Sequence, residues 1–352
     1  MTTLELIPTG APSGLAQAGQ LANGAAARGL FAEYRDRKAA NTRRRHDQTL
    51  ALLARCLGDP QPHGAGIPGA PSGPALASDP AAWAGMTWGL VALFVAWLLR
   101  GGYAIATING HLSTVKTYAR LAMLAGALDR GEHGAILAVK GYRHNEGKHL
   151  DELRPVTRGG LEARAKKAEP VPLTPDQAAA LRQQPDTPQG RRDGLLLALL
   201  LDHGLRVGEV AGLQVTDLDL AAGELRFYRP KVDKIQTHTL TPAARRAARA
   251  YIEAGDAPAM GPLLRASQKG GQLMGAGLTV RALTDRVRTL GAAVGLVGLS
   301  AHDLRHYWAT RAARNGTPLD RLQDAGGWAS PAMPLRYVEV AKIANQGVKL
   351  EA

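Results

Sequence analysis

Apolar positions along the chain recur with helical spacing over most of its length and with strand alternation at only two short places. From Leu30 to Leu57 the pattern is helical, with Asn41-Thr42 as a cap-like start ahead of the cationic run Arg43-Arg44-Arg45. Gly and Pro dominate residues 58–80, which read as a flexible loop between helices. Trp83 to Leu99 reads as a buried helix. Thr107 is the expected N-cap of the next one, whose apolar stripe is Ile108, Leu112, Val115, Ala119 and Met123. A second helical set opens at Thr174-Pro175-Asp176-Gln177, where an N-cap, a first-turn proline and a capping-box glutamine coincide. Helices are expected at 174–183 and 190–203, the latter carrying the apolar run Leu195 to Leu201, and a short one after Arg206. Thr241-Pro242 opens another, and Thr279 caps one with the stripe Val280, Leu283, Val287 and Leu290. Strand candidates are Gln214-Val215, residues 224–228 after the turn Ala222-Gly223, and residues 236–240; the last two alternate as hairpin strands do. The pattern predicts a mainly α fold with one small antiparallel sheet and no internal repeat.

A chain of 352 residues is long for one core and predicts two domains. Residues 1–25, rich in Gly, Ala and Pro, read as a flexible tail, and 26–150 as a helical domain. Two prolines, a Gly pair and clustered Arg and Lys mark 151–171 as a linker, leaving 172–352 as a second domain with a C-terminal tail. The net charge of +13 favours a polyanionic partner, most commonly nucleic acid. On the helix after Thr107, the face opposite the stripe carries His111, Ser113, Lys116, Thr117 and Arg120. Such a face suits a DNA groove or its phosphates, and equally suits solvent. Cys56 is the single cysteine, so neither an intrachain disulfide nor a Cys-rich metal site forms, which fits a reducing cytoplasm. The N-terminus lacks the regions of a signal peptide, and the apolar run Leu90 to Leu99 falls short of the roughly 20 residues that span a bilayer. A cytoplasmic protein without membrane association is expected.

Candidate chemistry gathers between Ser300 and Tyr337. His302 and Arg305 are three apart and share a helical face; Trp328 follows, and Tyr337 lies nine positions beyond it. Cleaving a phosphodiester with a protein hydroxyl requires that hydroxyl in line with the leaving oxygen. It also requires guanidinium forks on the nonbridging oxygens and a proton donor for the departing alkoxide. No clustered carboxylates and no His/Cys ligand spacing point to a metal, so side chains must supply the electrostatic stabilisation. Each residue alone has an ordinary structural explanation: a satisfied histidine, a surface arginine, a core tyrosine, a hairpin lysine at Lys231.

Together they resemble the tyrosine recombinase, or phage integrase, family. That pattern is an Arg in a G-x-R-x-x-E turn, a hairpin Lys, H-x-x-R, a His or Trp, and a Tyr. The chain has Gly204-Leu-Arg206-Val-Gly-Glu209, Lys231, His302-Asp-Leu-Arg305-His306, Gly327-Trp328 and Leu335-Arg336-Tyr337, in that order and at matching spacing. The resemblance covers about 172–345 and reaches the first domain more loosely, through Thr42-Arg43 and Thr107-Ile108-Asn109-x-x-Leu112-Ser113.

The resemblance implies a helical, SAM-like core-binding domain, a linker, and a mainly helical catalytic domain with a small antiparallel sheet, closing on duplex DNA as a C-shaped clamp. It implies that Tyr337 attacks the scissile phosphate to give a 3′-phosphotyrosyl link, while Arg206 and Arg305 hold the nonbridging oxygens. Lys231 protonates the leaving 5′-oxygen, His302 assists the proton transfers, Trp328 packs against or donates to the phosphate, and Glu209 orients its neighbours. Thr42, Arg43, Arg44, Thr107, Asn109, His111, Ser113, Lys116, Thr117 and Arg120 become the expected DNA contacts of the first domain. No cofactor, metal or ATP is implied; a tetramer on a specific double-stranded site is. The tail after Tyr337 either docks on a neighbouring protomer or folds on its own domain.

Two departures from the pattern stand out. Trp328 occupies the commoner His position and can donate but not act as acid or base, and Gly326 replaces the Leu of a Leu-Gly-His context. Lys234 rivals Lys231 as the hairpin lysine, with spacing favouring Lys231. The rival functions are a type IB topoisomerase and a non-catalytic DNA-binding protein on the same scaffold.

Overall fold

The structure, a computed structural model, describes residues 14–59, 64–143, 146, 157–158, 161–162 and 170–341. The chain divides into two compact units between Lys166 and Lys167.

The first unit is helical: α1 (Gly14–Asp36), α2 (Ala40–Gly58), α3 (Gly73–Ser78), α4 (Trp88–Arg100), α5 (Ile105–Leu124) and α6 (Arg130–Ala138). The stripe read from the sequence faces its core, where Ile108, Leu112, Val115 and Ala119 of α5 meet Leu50 and Leu53 of α2 and Phe94 of α4. Tyr118 lies at the centre, in contact with the rings of Phe31, Tyr34, His46 and Trp83.

Several expectations need correction here. Helix α1 begins at Gly14, inside the stretch read as a tail; Ala and Gln lend it helix propensity without an apolar stripe, and Leu15 and Leu21 stand exposed. Within 58–80, Ser72 accepts from the Ala75 N–H and caps α3. Gly73 lets α3 press on α2, since a Cβ there would come within 2.8 Å of the Ala51 Cα. The expected helix from Trp83 is interrupted at Gly85, and Trp88, which opens α4, is exposed. Helix α5 starts at Ile105, so Thr107 lies inside its first turn instead of capping it.

Most of the expected linker lies outside the described residues; within it a two-residue ladder pairs β1 (Thr157–Arg158) with β2 (Leu161–Glu162).

The second unit runs α7 (Pro175–Arg182), α8 (Pro188–Asp202), α9 (Val207–Gly212), β3 (Leu218–Asp219), β4 (Glu224–Arg229), β5 (Lys234–Thr239) and α10 (Pro242–Glu253). It continues through β6 (Arg265–Ser267), β7 (Leu273–Gly277), α11 (Val280–Ala293), α12 (Ala301–Arg314), α13 (Leu319–Gly326) and α14 (Ala332–Ala341). The Thr174–Gln177 capping box forms with both reciprocal bonds. Leu195 to Leu201 are all buried, which places α8 in the middle of the core. Strands β3, β4 and β5 make an antiparallel sheet whose last pair, Arg229 with Lys234, closes the hairpin carrying Lys231. Gln214-Val215 is not a strand: a 3₁₀ turn occupies 215–217, and Gln214 makes only an isolated bridge to Pro262. The β6–β7 hairpin went unread because its Gly-rich second strand has no alternation. Among the described residues no helix is long and apolar enough to cross a membrane.

Candidate active site

Helix α13 ends at Gly326, and Gly327 turns the chain through a left-handed conformation (φ 59°). The last carbonyls of a helix lack partners within it and carry the negative end of its dipole. Here arginines fill that need. Arg206 donates from Nη2 to the Gly327 carbonyl at 2.9 Å, and Arg305 from Nη2 to that of Gly326 at 2.5 Å. Arg229 reaches the carbonyls of Ala325 at 2.7 Å and Gly326 at 3.0 Å. Arg305 also donates to the Gly204 carbonyl. That carbonyl follows from a left-handed glycine (φ 58°) at which any Cβ would strike the Trp308 ring. The predicted G-x-R-x-x-E turn is a capping structure: Arg206 starts α9, and Glu209 takes its backbone N–H at 2.8 Å and its Nη1 at 2.8 Å. Arg206 therefore has one face of its guanidinium fixed while the residue remains partly exposed.

Trp328 follows the turn, and its ring lies 4.5 Å from the Arg305 guanidinium, within cation–π range. On its other contacts it meets Trp308 at 6.1 Å and Tyr337 at 5.5 Å between ring centroids. Gly326 is explained by this tryptophan. A Cβ at 326 would come within 1.9 Å of the Trp328 ring, so the bulky residue two positions on demands the glycine. Tyr337, on α14, is buried, with its ring edge-on to His306 at 5.0 Å. Burial pushes its phenol up from the ordinary value, and the charges of Arg305, Arg206 and Arg336 pull it back down. Among the described residues the Tyr337 hydroxyl has no hydrogen-bond partner. The arrangement is a buried tyrosine ring whose hydroxyl lies within the field of fixed guanidiniums, suited to a tetrahedral anion. Burial, with the Arg206 charge next, pulls Arg305 down to about 10, which leaves it charged at neutral pH.

The remaining predicted residues stand at the rim. Lys231 is exposed in the hairpin turn and lines a recess with Gly327 and Trp328; among the described residues it has no hydrogen bond or ion pair. Lys234 pairs with Asp324 at 2.7 Å, and Gln236 donates to the Asp324 carbonyl at 2.7 Å, so Lys234 fastens the hairpin to α13. His302 is exposed on the first turn of α12, one turn before His306, and its charge depresses the His306 ring after the larger effect of burial. Sequence reasoning passed over Arg229, His306 and Asp324. Arg229 had a legible signal, a charge at the third inward position of an alternating strand after Leu225 and Phe227.

In the first unit, Thr42, Arg43 and Arg44 are exposed on α2, and Thr107, Ser113 and Arg120 on α5. His111 departs from the expectation of an outer face. Its ring is buried against Tyr103, with Nδ1 2.8 Å from the Thr49 hydroxyl, because position 111 falls beside Leu112 on the core side. Asn109 is occupied by the backbone of Tyr142, donating at 2.8 Å and accepting at 3.0 Å. Lys116 caps the end of α6 through the carbonyls of Leu137 and Val139 at 2.7 and 2.6 Å. Thr117 donates to the Ser113 carbonyl. Between α2 and α5 runs an open groove edged by Arg44, Arg45, Gln48, Arg55 and Thr107. Arg45, Gln48 and Arg55 recur at helical intervals along α2, a signal the sequence held.

The second unit is a mainly helical fold with small antiparallel sheets that presents arginines, a hairpin lysine and a buried tyrosine. Among solved structures the chain is similar in fold to the Tn1549 transposon integrase in complex with a circular intermediate DNA. That similarity has a TM-score of 0.61 at 16% identity, over 88% of this chain and 94% of that one. It is similar also to a lambda integrase dimer bound to a COC′ core site, with TM-score 0.59 and 14% identity over 92% and 97% of the two chains. Residues 172–343 match the phage integrase family, so the second unit carries that family's domain, the domain of tyrosine recombinases. Relatives include the tyrosine recombinase XerC of Pelobacter propionicus, 32% identical over 201 residues, which are 55% of this chain and 65% of the relative. Another is the tyrosine recombinase XerD of Neisseria meningitidis, 32% identical over 52% of this chain and 62% of the relative. The chain thus spans somewhat under two thirds of the length of these relatives.

Proposed function

We propose that the chain is a site-specific DNA recombinase that cuts and rejoins strands through a 3′-phosphotyrosyl intermediate. The observation that carries this reading is the Tyr337 hydroxyl, unbonded among the described residues, in the field of Arg206 and Arg305. The Tyr337 oxygen attacks phosphorus and the bond to the 5′-oxygen breaks. Arg206 and Arg305 neutralise the charge on the nonbridging oxygens, and Lys231 gives the departing oxygen its proton. His302 assists in taking the tyrosine's proton, and Trp328 holds Arg305 in plane. Because the phosphotyrosine retains the bond's energy, a 5′-hydroxyl from a partner strand reverses the step without ATP. The exposed cations of α2 and α5 bind the duplex flanking the cut, and exchange between two duplexes requires four such chains. A role in moving a genetic element or in resolving DNA dimers follows from the same chemistry, in the cytoplasm where the DNA lies. The relatives named tyrosine recombinases support this reading.

Covalent trapping on a nicked duplex tests it. The wild-type chain is expected to form a protein–DNA adduct that Tyr337→Phe does not form while binding the duplex equally well. An adduct persisting in Tyr337→Phe would overturn the assignment. Relaxation of plasmids at any sequence without recombinant products would favour the topoisomerase reading.

A further inference from the structure

We propose that Arg229 is a positioning residue for strand cleavage, one that fixes the supports of both phosphate-binding arginines at once; this rests on the reading above. Arg229 is fully buried at the end of β4. Its Nη1 donates to both Glu209 carboxylate oxygens at 3.2 Å and to the Gly326 carbonyl at 3.0 Å, and its Nη2 to the Ala325 carbonyl at 2.7 Å. Its Nε has no partner, so the terminal nitrogens alone hold the group. Its stem also shapes the turn, because a Cβ on Gly327 would meet the Arg229 Cδ at 2.5 Å.

A buried ion pair is seldom kept for stability, since well-packed apolar groups serve as well. The partners of Arg229 suggest what else it does. Glu209 is shared: Oε1 receives Arg206 at 2.8 Å as well as Arg229. Without Arg229, the whole charge of Glu209 falls on Arg206, cancelling the cation and drawing it from the phosphate. The Gly326 carbonyl is shared too, with Arg305 as its other donor. Lys231 lies two residues further along the same hairpin. A lysine at 229 would keep the charge but not the planar fork that spans carboxylate and two carbonyls.

The test compares wild type, Arg229→Met and Arg229→Lys in single-turnover cleavage of a nicked duplex. The scissile linkage is either the natural phosphate or a neutral methylphosphonate, and duplex affinity and Tm are measured alongside. Arg229→Met is expected to lose about 100-fold in adduct formation on the phosphate, the scale of one lost electrostatic donor. Its affinity should hold within about threefold, because binding is spread over many phosphates. On the methylphosphonate, which carries no charge for the arginines to hold, the deficit should shrink below about tenfold. Arg229→Lys should recover little. A folded Arg229→Met that cleaves like wild type, or one equally impaired on both linkages, overturns the proposal. If Arg229→Met does not fold, Arg229→Met/Glu209→Gln removes both buried charges; cleavage equal to Glu209→Gln alone would overturn it. A wild type that forms no adduct on its own junction sequences fails the recombinase reading itself, a result distinct from wild-type cleavage with an unimpaired variant.

Discussion

At the scale of the residue, Trp328 and Gly326 act as one unit. The indole supplies a flat surface under Arg305 and beside Tyr337, and the glycine supplies the space for it. A leucine at 326 must either displace that ring or distort the end of α13, and overpacking of this kind costs about 1–3 kcal/mol. Gly326→Leu is therefore expected to lower Tm and to slow adduct formation together. Adding Trp328→His, a smaller ring, should restore much of the lost Tm in Gly326→Leu/Trp328→His. A thermal melt that shows no recovery in the double variant would mean that the two positions are independent. Arginines at this site follow the same logic of mutual definition. Arg206 is oriented by the carboxylate three residues later and Arg305 by carbonyls more than 20 positions away, so only the first arrangement was visible in local spacing.

At the scale of the element, the β4–β5 hairpin delivers one lysine and anchors with another. Lys234 and Gln236 fasten it to Asp324, Tyr228 donates to Asp233 at 2.8 Å across the turn, and Lys231 is left free among the described residues. Asp233 adopts a positive φ of 48°, a conformation to which aspartate is better suited than most residues. If Lys231 is the proton donor to the leaving oxygen, Lys231→Ala should slow cleavage by about 100-fold or more. Lys234→Ala, which removes an exposed ion pair worth at most about 1 kcal/mol, should cost less than about tenfold. Single-turnover cleavage of a nicked duplex separates the two, and the reverse order would exchange their roles. The hairpin's strands, the capped helix starts at Thr174, Thr241 and Thr279, and the stripe of α5 were legible because each rests on contacts within a few residues. Helix α1 and the β6–β7 hairpin were not, since Ala-rich and Gly-rich segments carry no periodic signal. His111 was placed outward although its neighbour Leu112 faces the core; a helical face is about 100° wide, so a residue at its edge is assigned by packing that spacing alone does not show.

At the scale of the whole molecule, the feature that bears on a partner is charge. The chain carries 43 Lys and Arg against 30 Asp and Glu, and many of its acids are spent on internal pairs. Asp193, fully buried, serves both Arg192 and Arg286; Asp256 serves Arg191, and Asp202 serves Arg182. Pairing of this kind uses up cations as well as acids, so nearly the whole positive excess stays on the remaining side chains, among them the exposed Arg43, Arg44 and Arg120 of the first unit. Each phosphate neutralised by such a side chain releases about 0.9 of a counterion, so affinity for duplex DNA should fall about 10³-fold or more between 50 and 200 mM salt if six or more contacts form. Arg44→Ala and Arg120→Ala should each reduce the slope of log K against log salt by about one, at every duplex sequence tried. Lys116→Ala, whose ammonium closes the end of α6, should lower Tm and leave that slope unchanged. Binding titrations over that salt range, run beside thermal melts, measure both. A slope that Lys116→Ala reduces and Arg120→Ala leaves alone would show that the duplex lies against α5 differently from the way its exposed cations indicate.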